Sequence, residues 1–292
     1  MTELRCTHCG AFNIGNGQNC KVCNFELNPA TQLPPGSLVF AGPHTKTSSY
    51  GSNYTTVDSI SPLKGVSDIL GPTIKLFIEN FWLITKLVVV IVTPFEIFRL
   101  LNFREISLDG QLEIGTFFLD LFCQVLIAPA LIYSLMQVMQ TGTAPSVNEA
   151  YRWGTGKIGK LTLCAIVSGL VQFLGYILCI VPGIIASVVL MLVYPLAVLE
   201  KSSVSEVILD SKDLTKGHRW NIFGAALVIW MMVGFFSLPA QAFAESLMWS
   251  ENAFWPLVLI TSILSDIVMQ STTILSLVTY LSIRALSSQP TQ

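Results

Sequence analysis

The amino-acid sequence predicts an all-α membrane protein with about six transmembrane helices and short interfacial amphipathic helices, and three observations predict it. Of the 292 residues, 52% are hydrophobic and 12% charged, against about 25% charged in soluble domains, so a single soluble globule could not keep this apolar surface out of water. The apolar residues gather into runs near the roughly 20 residues that a helix needs to cross the hydrocarbon layer. The cations between those runs fall mainly on one side of the predicted topology, which is the asymmetry that orients multi-pass proteins.

Composition divides the chain into a Cys-containing head, residues 1–27, a polar stretch, 28–61, and an apolar domain, 62–286. The first thirty residues lack the apolar core of a secretory signal. A retained, cytoplasmic N-terminus with reduced thiols is therefore expected. In the head, Cys6-Thr7-His8-Cys9 and Cys20-Lys21-Val22-Cys23 form two C-x-x-C knuckles. Paired thiolates at this spacing place four sulfurs tetrahedrally around Zn2+ at about 2.3 Å, and the metal supplies the folding energy that so small a head lacks. Disulfides or a redox pair suit a reduced terminus without a βαβ setting poorly. A closed site of Cys6, Cys9, Cys20 and Cys23 is structural and leaves no catalytic position. The polar stretch is rich in Pro, Gly, Ser, Thr and Asn and reads as a flexible tether, with a random-coil span on the order of 30 Å. Its formal glycosylation sequon, Asn53-Tyr54-Thr55, would go unused in the cytoplasm.

Six spans are predicted at 81–101, 114–138, 161–178, 183–199, 222–244 and 256–283. The third and fourth are separated by 179–182, where Pro182 and Gly183 mark either a tight hairpin or a mid-membrane kink. Arg152, Lys157 and Lys160 lie in one loop and Lys201, Lys212, Lys216 and Arg219 in another, so both loops and both termini are expected in the cytoplasm. Cys123, Cys164 and Cys179 fall inside apolar runs, where cysteine acts as a small hydrophobe.

The inter-span loops repeat a pattern. Ser146-Val147-Asn148-Glu149 and Ser203-Val204-Ser205-Glu206 each read as a capping box, in which Ser and Glu satisfy each other's backbone N–H groups. Val147, Ala150 and Tyr151 then share one helical face. The second box opens a helix over 204–216 with Val204, Val207, Ile208 and Leu214 on its apolar face and Glu206, Asp210, Asp213 and Lys216 opposite, an interfacial pattern. Ser61, Pro62, Leu63, Val66 and Leu70 give a looser version. Three units of one interfacial helix and two spans follow.

Gly154-Thr155-Gly156-Lys157-Ile158-Gly159 matches the dinucleotide fingerprint in letters only, since no strand precedes it and a span follows. Gly154 is expected to end the helix before it. Within the spans, Asp120 with Gln124 and Asp266 with Gln270 each place a carboxylate and an amide one turn apart. Such residues either line a route for a solute or proton or fix helix packing by interhelical hydrogen bonds. The three histidines, His8, His44 and His218, lie outside the spans, and no hydrolase or phosphate-binding motif is present. Net charge is −2 with scattered cations, so nucleic acid is not an expected partner.

Residues 182–223 resemble the bacterial family named for the membrane domain of glycerophosphodiester phosphodiesterases, together with related six-span membrane proteins. The matching residues are Pro182-Gly183, Glu200-Lys201 and the run from Asp210 to Trp220, which includes Asp213-Leu214-Thr215-Lys216-Gly217-His218-Arg219-Trp220. The resemblance implies an α-helical membrane domain. It implies no hydrolase activity, because no soluble stretch here is long enough for the catalytic barrel fused to that domain in some members. From the residues themselves, Arg219 and Trp220 are interface anchors after a helix stopped by Gly217. The sequence thus points to a non-enzymatic protein of the bacterial inner membrane, a scaffold or lipid-associated module whose ribbon recruits a cytoplasmic protein partner. A solute or lipid transporter using Asp120, Gln124, Asp266 and Gln270, and a regulatory or assembly factor for a membrane enzyme, are the alternatives.

Overall fold

The computed structural model describes residues 3–5, 12–14, 60, 63–101, 110–200, 202–248 and 255–287, with side chains except at 3–5, 12–14, 100, 110–121, 245, 247, 248 and 287. The chain separates into two compact units, 1–50 and 51–292, and the division falls inside the expected tether. In the first unit, β1 (Glu3–Arg5) pairs antiparallel with β2 (Phe12–Ile14), Leu4 opposite Asn13. The segment between the strands contains Cys6 and Cys9. All four of Cys6, Cys9, Cys20 and Cys23 lie outside the described residues.

In the second unit every described regular element is a helix: α1 (Ser67–Glu79), α2 (Phe81–Leu101), α3 (Gly110–Thr141), α4 (Val147–Thr155), α5 (Ile158–Leu178), α6 (Ile180–Val189), α7 (Val193–Leu199), α8 (Val204–Leu214), α9 (Arg219–Met248) and α10 (Trp255–Ser287). Six segments are long and apolar enough to cross a membrane, α6 and α7 together making the fourth. The chain is a multi-pass membrane protein. The span of α3 is 78% buried within the protein and that of α5 only 22%, so α3 is central and α5 peripheral. The other central element is the last third of α10, buried from Ile274 to Ile283. Around α10 as a whole pack α1, α2, α3, α7 and α9.

The expected three units of short helix and two spans match the element order, with corrections to their starts. Ser61 and Pro62 lie outside the described residues. α1 begins at Ser67, and the Asp68 carboxylate accepts from the N–H groups of Lys64 and Gly65 at 3.0 and 2.9 Å. At Ser146 only half of the expected box forms: the hydroxyl accepts from Glu149 N–H at 3.2 Å, but the Glu149 carboxylate accepts from Tyr133 O–H at 3.1 Å. A buried phenol needs a partner more than an exposed backbone amide does. At Ser203 the box is complete, with bonds of 3.4 and 2.6 Å.

The third and fourth spans form a hairpin and not a kink. Their break is at Cys179, a single extended residue, one turn earlier than Pro182-Gly183. Pro182 occupies the first turn of α6, where a missing N–H costs little. Gly183 is instead a contact point: a Cβ there would lie 2.3 Å from the Tyr176 ring, and one on Gly175 3.0 Å from Gly183 Cα. Ser187 bonds to Gln172 and Tyr176 across the pair. Cys179 itself is exposed, unlike buried Cys123 and Cys164, because a one-residue turn has no room to bury it. Gly154 likewise lies within α4, 3.4 Å at its would-be Cβ from the Ala130 backbone, and serves close packing of α4 on α3.

Candidate functional site

Two arrangements gather polar chemistry in the membrane domain. The first runs along α10. At one end, Ser262 accepts from Arg99 of α2 at 3.4 Å, and the same guanidinium pairs at 3.0 Å with Glu96, which is buried. Farther along, fully buried Gln270 donates to Gln124 of α3 at 3.2 Å and accepts from Thr273 at 3.4 Å. At the other end, Glu200, which follows α7, accepts from Tyr280 O–H at 2.8 Å and from the Arg284 guanidinium, while its backbone carbonyl accepts from the Lys160 ammonium at 2.8 Å.

Of the intramembrane residues singled out in the sequence, Gln124 and Gln270 are brought together. Asp266 lies one turn before Gln270 and is half-buried. Asp120 is in α3, but its side chain lies outside the described residues. The three bonded stations are separated along α10 by about 12 and 15 Å at 1.5 Å per residue, too far for direct proton exchange. Each instead satisfies a buried polar group against a different neighbouring helix. Sequence reasoning missed Lys160, Glu200, Tyr280 and Arg284 as a group. The available signal was that Glu200 and Arg284 end apolar runs with opposite charges.

The short helices are positioned by aromatic residues and hydroxyls. Tyr133 of α3 stacks on Trp153 of α4 at 4.7 Å. Tyr151 donates to the Leu87 carbonyl of α2 at 2.5 Å, and burial pushes its phenol well above its usual pKa, so it remains a neutral donor. On α8 the docked face is centred on Val207 and Ser211, both buried, whose hydroxyl donates to the Val189 carbonyl at 2.6 Å. That carbonyl is free because α6 ends there. The expected face is therefore rotated: Val204, Ile208 and Leu214 are half-buried, Leu209 is exposed, and the helix ends at Leu214 instead of Lys216. Gly217, at φ +87°, makes the turn that follows.

The second arrangement is a pair of apolar grooves on either side of α6. One, of about 400 Å³, lies against α8 and is lined by Pro182, Ile185, Val189, Ile208 and a single cation, Lys212, among others. The other, of about 460 Å³, lies against the start of α9, where Arg219 is its single cation beside Trp220 and Phe223. Val181 and Ile185 line both. No protein family, curated protein or solved structure matches this chain. Among the described residues no group of His, Cys, Asp or Glu is placed to hold a metal.

Proposed function

We propose that this is a non-enzymatic protein of the bacterial inner membrane, in which the helical bundle is a lipid-associated scaffold and a tethered zinc ribbon recruits a cytoplasmic protein partner. The observation that carries this reading is the pair of apolar grooves flanking α6, each with one cation, because lipid presents that combination of long apolar chains and a charged head. The Gln124–Gln270 bond favours a packing role for the intramembrane amides over a transport route. The ribbon rests on the spacing of Cys6, Cys9, Cys20 and Cys23, which suits four-thiolate zinc. The resemblance of residues 182–223 to the phosphodiesterase membrane-domain family is consistent with a membrane module that has no hydrolase of its own.

The test is native mass spectrometry and metal analysis of the full chain extracted in mild detergent. About one zinc per chain, retained phospholipid and a copurifying cytoplasmic protein are expected. Cys6→Ser with Cys20→Ser should remove metal and protein partner and leave lipid. Absence of zinc from reduced, unchelated protein removes the ribbon. Solute uptake by reconstituted vesicles that disappears with Gln124→Ala replaces the scaffold with a transporter.

A further inference from the structure

We propose that Lys212 and Arg219 form a headgroup site for an anionic phospholipid whose two acyl chains lie in the grooves on either side of α6; the proposal rests on the lipid-associated reading above. The two residues belong to different helices and touch at one corner, where the Arg219 Nη2 donates to the Lys212 backbone carbonyl at 3.4 Å. Gly217 makes this possible, since its left-handed backbone turns the chain sharply between α8 and α9.

Arg219 is not saturated there. Its Nε is buried and has no hydrogen-bond partner among the described residues, and a buried donor without an acceptor is costly. Arg219 as a whole is half-buried, and the planar guanidinium presents paired donors that suit phosphate. Lys212 and Arg219 line the two grooves with no carboxylate among the lining residues, so the corner favours a head that carries net negative charge over a zwitterionic one. Trp220 beside it is 83% exposed, as expected of an aromatic residue at headgroup level.

The apolar part fits the same ligand. From Val181 to Leu190 the helix axis rises about 14 Å, which leaves apolar surface along both of its sides. Val181 and Ile185 line both grooves and are 64% and 51% exposed. A partner helix would fill one groove and leave the other; a two-chain lipid astride α6 fills both.

The experiment is titration of the full chain in detergent with a phosphatidylglycerol and with a phosphatidylcholine of the same acyl chains, read by native mass spectrometry. The phosphatidylglycerol should bind about tenfold tighter, and raising salt should weaken it while leaving phosphatidylcholine unchanged. Lys212→Gln with Arg219→Gln should abolish the preference, and Ile185→Trp should weaken both lipids by filling the grooves. Equal binding of the two lipids with no salt effect in the unaltered protein overturns the headgroup site and leaves lipid association standing. Retention of neither lipid overturns lipid association itself. The salt series uses the unaltered chain, so it decides the matter even if a variant fails to fold.

Discussion

At Gly183 the missing side chain sets how closely α5 and α6 approach, since any Cβ would enter the Tyr176 ring. Gly183→Ala should therefore destabilise the hairpin by about 1–3 kcal/mol through overpacking. Gly169→Ala, also in α5–α6 but with nothing within 4 Å of its added Cβ, should gain roughly 0.5–1 kcal/mol from lost backbone entropy. Thermal unfolding in detergent should shift in opposite directions for the two, and a parallel shift would refute the close-contact role. Glu200 is the second residue on which much depends. Glu200→Gln weakens the bonds from Tyr280 and Arg284 together and should cost roughly 1–2 kcal/mol, less than a fully buried pair because the Arg284 side chain is 40% exposed. A double-mutant cycle with Arg284→Gln should return most of that as coupling. Additive losses would show that the pair contributes little. This cluster was not legible in the sequence because the partners of Glu200 lie 40, 80 and 84 positions away, and no local pattern reports such distances. Glu149 illustrates the same limit on a shorter scale. Its capping role is visible three residues from Ser146, whereas the competing Tyr133 is a tertiary neighbour.

Among the elements, α8 shows how a local signal survives folding while its orientation does not. The capping box was legible because it acts within a few residues of the chain, whereas the helix ends at Leu214, before the turn that Gly217 makes. The docked face was not legible, because Ser211 looks polar in sequence and becomes buried only through the carbonyl that α6 leaves free at Val189. The break between α6 and α7 at 190–192 was hidden for a related reason: the apolar run continues through it without Gly or Pro. The box also makes a pH prediction. The Ser203 backbone N–H, and after it the Ser203 side chain, hold the Glu206 carboxyl below the usual carboxylate range. A depressed folded pKa means that the capping contribution is present above the ordinary Glu value of about 4.3 and is lost as pH falls through the folded value. Amide exchange at Val204–Val207, corrected for its intrinsic pH dependence, should accelerate below that range. Glu206→Gln should flatten the response. Unchanged protection down to acid pH would show that docking alone holds the first turn.

For the whole molecule, the six spans were legible because each apolar run reaches crossing length, and their direction follows once the ends of the bundle are known. Lys160, Glu200 and Arg284 meet at one end. The start of α9 lies beside the start of α1, with Asn221 donating to the Lys64 carbonyl at 3.4 Å and a Cβ on Gly224 falling 3.0 Å from Val66. Antiparallel pairing of α9 with α10, seen where Ala244 packs on Val258, puts residue 219 and residue 284 at the same end. That end therefore carries Lys64, Lys157, Lys160, Arg219 and Arg284, whereas Arg99 toward the other is offset by Glu96. Because Lys and Arg excess fixes the retained side of short loops, the Lys-rich end should face the cytoplasm. The check is single cysteines in a Cys179→Ser background, needed because native Cys179 is exposed. Asp109→Cys and Asn252→Cys should react with an impermeant thiol reagent on intact cells. Ser203→Cys should react only after lysis. The reverse pattern would invert the topology, and with it would place the Lys-rich end on the outer side of the membrane.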